Sequence, residues 1–81
     1  MLPGPIDKAA RVLEEALKTP KGAATRIMAG AGVNYGFLRL VLAAGLVEAT
    51  GKGHYGRRLQ LTTLGHEFLR NYNVLERLFP E

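Results

Sequence analysis

The sequence has no cysteine, no tryptophan and few aromatic residues. Without a thiol, disulfides and thiolate metal sites are excluded outright. Long hydrophobic runs are missing too. The longest uncharged apolar stretch, residues 40–47, is far short of the roughly 20 residues that cross a bilayer. Met1-Leu2-Pro3-Gly4-Pro5 has neither the basic start nor the apolar run of a signal peptide. A soluble, cytoplasmic protein with no membrane association is expected.

Catalytic constellations are equally scarce. No paired carboxylates and no activated serine emerge from the spacing. His54 and His66 lie twelve apart with no carboxylate pattern beside them, which fits neither a zinc site nor a catalytic dyad. The expectation is a protein that is not an enzyme and holds no metal and no cofactor. Two phosphate-binding patterns come close and fail. Gly51-Lys52-Gly53-His54-Tyr55-Gly56 fits GxGxxG letter for letter, but that motif must open a helix within a βαβ unit. Here residues 57–61 alternate as a strand, and only 25 residues of the 81 follow Gly56. A P-loop fails because Gly45 precedes Gly51 by one residue too many, and Gly53 replaces the required Ser or Thr.

What is present points to one small domain, 1–81, with 47% hydrophobic residues. A chain of this size buries only about 60% of the surface it exposes unfolded, so a partner subunit would help it. The net charge of +4 is unevenly placed. Lys18, Lys21, Arg26, Arg39, Lys52, Arg57 and Arg58 face a lone Glu48, a net +6 between residues 18 and 58. Before and after that stretch, two cations meet three acids, a net −1 on each side. Charge concentrated this way is the footprint of a polyanion binder.

The pattern of elements agrees. A first helix is expected over 6–18, with Ile6, Ala9, Ala10, Leu13, Ala16 and Leu17 on one face. Its other face carries Asp7–Arg11 and Glu14–Lys18 at i,i+4. Pro20 and Gly22 break the chain before a short second helix over 23–30, with Ile27 and Met28 as core contacts. A third helix is expected over 34–44, capped by Asn34 and closed by Gly45, with Leu38, Val41 and Leu42 inward. A hairpin over 46–61 follows, in which Val47 and Ala49, then Leu59 and Leu61, point inward. Thr62 or Thr63 caps a final helix over 63–79, stopped by Pro80. Two short helices joined by a tight glycine turn, followed by a hairpin, make a winged helix-turn-helix. The expected fold class is therefore α+β, mostly α.

Thr25-Arg26-Ile27-Met28, Ala31-Gly32-Val33-Asn34-Tyr35, Gly45-Leu46-Val47 and Leu61-Thr62 with Gly65 and Phe68-Leu69 resemble the small archaeal winged-helix DNA-binding proteins. That group includes chromatin-associated and transcription-regulatory members. The resemblance covers roughly residues 6–79, and its most distinctive piece is Leu-Thr-x-x-Gly-x-x-Phe-Leu. It implies a homodimer paired through the C-terminal helix, usually antiparallel. Two departures stand out. The 34–45 stretch is about one turn shorter than is usual in the group, and Leu64 stands where a basic residue is common.

Double-stranded DNA is thus the expected partner, with a nucleoid-associated location. Expected contacts are Lys21, Thr25 and Arg26 to phosphate, Asn34, Tyr35 and Arg39 at the groove, and Lys52, His54, Tyr55, Arg57 and Arg58 from the wing. The third helix has one charge in eleven residues, thin material for base readout. Its apolar side, Gly36, Leu40 and Ala43, supports an alternative: a winged helix used as a protein–protein interaction module. In the last helix, Leu61, Leu64, Phe68, Asn71, Leu75 and Leu78 follow a heptad spacing. A dimer contact through Phe68, Asn71, Tyr72, Leu75, Leu78 and Phe79 is expected, and folding back onto the same domain is the competing arrangement.

Overall fold

The computed structural model describes residues 4–19, 23–51 and 57–78. Four helices and one hairpin follow in the order α1 (Pro5–Lys18), α2 (Ala24–Ala31), α3 (Tyr35–Ala43), β1 (Val47–Thr50), β2 (Arg58–Leu61) and α4 (Thr63–Leu78). The strands pair antiparallel, with Val47 opposite Leu61 and Ala49 opposite Leu59. This is the expected mostly helical α+β winged-helix arrangement. Among the described residues, no helix is long and apolar enough to cross a membrane.

The first helix is the hub. Pro5 sits at its first position, where a missing N–H costs nothing. Asp7, three residues past the Gly4 cap, reaches back to accept from the Gly4 N–H at 3.2 Å. Ala9, Ala10, Val12, Leu13 and Ala16 are buried against α2, α4 and β2. The expected face needs one correction. Ile6 and Leu17 are exposed, whereas Val12 is fully buried. Ala10, on the same side as Ile6 and Leu17 but mid-helix, is covered, so it is the ends of α1 that are left open. A second correction concerns the hairpin, in which Val47 is buried but Ala49, two residues nearer the tip, is exposed.

Where β2 hands over to α4, the backbone of two distant segments is drawn together. Thr62 is the cap, its Oγ1 accepting from the Gly65 N–H at 3.0 Å while donating to the Gly45 carbonyl at 2.5 Å. The Thr62 N–H donates to the Leu46 carbonyl at 3.1 Å. Gly65 then passes so close to Leu46 that an added Cβ would lie 2.1 Å from that carbonyl oxygen. Glycine is needed here for space, because the clash is with backbone and no side chain can yield.

The far part of α4 is tied to the start of α1. The Tyr72 hydroxyl donates to Asp7 Oδ1 at 2.6 Å. By spacing Asp7 is a partner for Arg11, yet its carboxylate serves Tyr72 and Gly4 instead. The Tyr72 bond, then the Gly4 N–H, hold the Asp7 carboxyl below its usual range, with Arg11 adding and burial opposing. Asp7 and, after it, Glu76 push the Tyr72 hydroxyl in the opposite direction, upward.

Two measurements check these contacts. Gly65→Ala should cost roughly the 1–3 kcal/mol of an overpacked site, lowering the midpoint of thermal unfolding by roughly 4–24 °C. A near-native midpoint would mean that the Leu46 carbonyl is not where it is described. Because the folded-state carboxyl of Asp7 is depressed, its contribution is present above the ordinary carboxylate value of about 3.9 and fades as pH falls through the folded value. Asp7→Asn should therefore lower thermal stability at neutral pH and match the wild type at strongly acid pH. A difference that does not change with pH would rule this out.

Candidate nucleic-acid interface

The helix-turn-helix is built by one device used twice. At the end of α2, Gly32 takes a left-handed conformation (φ 70°), and the N–H groups of Gly32 and Val33 bond back to the carbonyls of Ala29 and Met28. At the end of α3, Gly45 does the same (φ 79°), with the Gly45 and Leu46 N–H groups on the carbonyls of Leu42 and Val41. This is the Schellman motif, which satisfies otherwise orphaned carbonyls and folds an apolar residue back over the last turn. In the second case that residue is Leu46, buried with Val41. Asn34 begins α3, its Oδ1 accepting from the Phe37 N–H at 2.8 Å.

Cations are exposed on each of these elements. Thr25 and Arg26 are exposed on α2, Arg39 on α3, and Arg57 and Arg58 at the root of the wing. No acidic residue lies between Ala23 and Val47. The wing root is fixed to both helices of the motif. Ala23 bridges to Arg58, and the Ala24 N–H donates to the Arg57 carbonyl at 3.0 Å. The Arg57 Nη1 donates to the Tyr35 hydroxyl at 3.2 Å. Arg57 thus touches the start of α2 with its backbone and the start of α3 with its side chain. Sequence spacing offers no sign of this pairing, because the two residues lie 22 apart.

Two expected groove residues have their polar atoms engaged. The Asn34 oxygen caps α3, which ties its side chain to the first turn of its own helix. Tyr35 is half exposed and its hydroxyl accepts from Arg57, so it is not a ring packed on the core. Of the α3 residues, Arg39 alone remains as a long cation available to a base edge. The outward crest of the helix is apolar: Leu40 is 65% exposed, flanked by exposed Gly36 and Ala43. Lys21, Lys52, His54, Tyr55 and Phe79 lie outside the described residues.

The last helix, α4, has two apolar stripes, and of the heptad residues on it the core takes only Phe68. Gly65 and Leu69 are buried, and Phe68 and Tyr72 are half-buried against the same core. Leu64, a member of the heptad, is exposed. Phe68 and Tyr72, expected at a dimer contact, are turned toward their own domain. Asn71, Leu75 (55% exposed) and Leu78 (64%) form an open stripe with Leu64. Val74 joins them, a residue missed by heptad counting because it falls one position before Leu75.

No protein-family model and no curated protein matches the chain. Among solved structures, Sso10a-2, a DNA-binding protein from Sulfolobus solfataricus, superimposes with a TM-score of 0.74 at 19% sequence identity. The match covers 94% of this chain and 81% of that one. At this identity the likeness is one of architecture: the chain has the winged-helix fold of the small archaeal proteins that its sequence resembles.

Proposed function

We propose that the chain binds duplex DNA through α3 and the wing, as a transcription regulator or a sequence-tolerant chromatin protein. The observation that carries this reading is that Arg26, Arg39, Arg57 and Arg58 are exposed on the helices and wing root of a helix-turn-helix with no acid between Ala23 and Val47. Phosphate contacts of this kind supply affinity and position without reading sequence. The solved neighbour, described as a DNA-binding protein, agrees with this reading. With one base-reading cation on α3, the sequence-tolerant role is the better supported of the two. The protein is a binding protein and not an enzyme, and its place is the cytoplasmic nucleoid.

The open stripe of α4 is the proposed dimer contact. Leu64, Val74, Leu75 and Leu78 lie exposed along one helix, the kind of patch that a monomer avoids. Burying each side chain is worth about 1.5–3 kcal/mol, and an antiparallel pairing of two copies counts each of them twice. The exposed Leu40 favours a second reading, a winged helix that docks another protein.

Titration of duplex DNA at several salt concentrations tests the first reading. If each subunit of a dimer neutralises three or four phosphates, the log–log slope is roughly −5 to −7. Arg57→Ala with Arg58→Ala should weaken binding to every duplex by a similar factor and flatten that slope. No binding at low salt, or a slope near zero, rejects DNA and leaves the protein-docking reading.

Sedimentation tests the dimer. The wild type should be dimeric at tens of micromolar protein, and Leu75→Lys with Leu78→Lys should be monomeric and folded. A monomeric wild type rules the contact out.

A further inference from the structure

The crest of α3 has a composition that limits what it can recognise. Gly36, Leu40 and Ala43 lie in one row on the side opposite buried Leu38 and Val41, and their side chains carry no hydrogen-bonding group. Arg39 flanks the row, and Arg26 and Arg57 stand on the neighbouring elements. Gly36 is not demanded by backbone conformation, since its φ is not positive. A Cβ there would meet only the capping Asn34 oxygen, at 3.3 Å. Glycine inside a helix costs about 1 kcal/mol relative to alanine. What it provides here is a low point in the crest beside Leu40.

An exposed leucine is common enough to need no explanation by itself. This one tops a helix that carries no acid and is flanked by Arg39, with Arg26 and Arg57 on the neighbouring elements, which complements phosphate and argues for the floor of a DNA groove. In the major groove the feature that an apolar side chain can recognise is the thymine 5-methyl group. Resting on the DNA reading above, we infer that Leu40 contacts thymine 5-methyl groups in the major groove. The protein therefore has a modest preference for thymine that depends on the methyl group and not on hydrogen bonds.

Replacing thymine by uracil removes only that methyl group and leaves base pairing and phosphate charge intact. Binding of two duplexes of one sequence, one with thymine and one with uracil throughout, is measured at equal salt. Loss of one buried methyl corresponds to about fourfold in affinity, and a dimer using both α3 helices would lose about fifteenfold. Wild type is expected to favour the thymine duplex by between these factors, and Leu40→Ala to bind the two alike. A duplex of G·C pairs with 5-methylcytosine should gain affinity over its unmethylated form for the same reason. Equal wild-type affinity for thymine and uracil duplexes, with the salt dependence retained, overturns the inference and leaves the DNA reading standing. A thymine preference that survives in Leu40→Ala removes Leu40 from the contact and overturns it too. Failure to bind either duplex overturns both.

Discussion

The geometry depends on the close passage of Gly65 over the Leu46 carbonyl. At that point the end of α3, the start of β1, the end of β2 and the start of α4 are held within a few residues of one another. Thr62 bonds to both carbonyls of the Gly45–Leu46 pair and caps α4 with the same hydroxyl. The left-handed Gly45 turns the chain so that those carbonyls face Thr62. Each of these bonds is worth only about 1 kcal/mol net, but the steric term does not bend. Any side chain at residue 65 would displace α4 from the hairpin, and with it the angle between the wing and α3.

A second convergence sets the candidate interface. Arg57 bonds through its carbonyl to the start of α2 and through its guanidinium to Tyr35 at the start of α3. The wing root is thereby oriented by the helix-turn-helix and does not hang from β2 alone. The side-chain bond is exposed, so its energetic weight is small and its role is to orient. The stretch between Ala23 and Val47 carries cations and no acid, which favours long-range attraction to a polyanion while the apolar α3 crest contributes shape.

The two helices that bracket the domain divide the apolar surface differently. In α1 the buried residues are mostly alanine with Val12 and Leu13, so that α2, α4 and β2 approach closely. In α4 the inward stripe uses Gly65, Phe68, Leu69 and Tyr72, and the stripe with larger aliphatic side chains is left outside. Tyr72 reaches Asp7 and fixes the far part of α4 to the beginning of α1. That bond holds the inward stripe in place and so determines which residues remain available to another molecule.

The order of the elements and the mostly helical α+β class were legible in the sequence. The signals were local: Pro5 at a helix start, Asn34 as a cap, Gly45 as a left-handed stop, and Leu59 and Leu61 in alternation. Such signals are legible because a cap or a Schellman turn closes within three to five residues. The segregation of charge into residues 18–58 was legible for the same reason, since it needs no knowledge of contacts. Tertiary structure decided which of two apolar stripes on α4 is inside, and that Val12 is covered while Ile6 is not. It also made the Arg57–Tyr35 and Asp7–Tyr72 pairs, which are 22 and 65 residues apart. Periodicity tells that a helix has an apolar side, but burial is a property of two surfaces. A heptad and an ordinary amphipathic stripe are alike until the neighbour that covers one of them is in place.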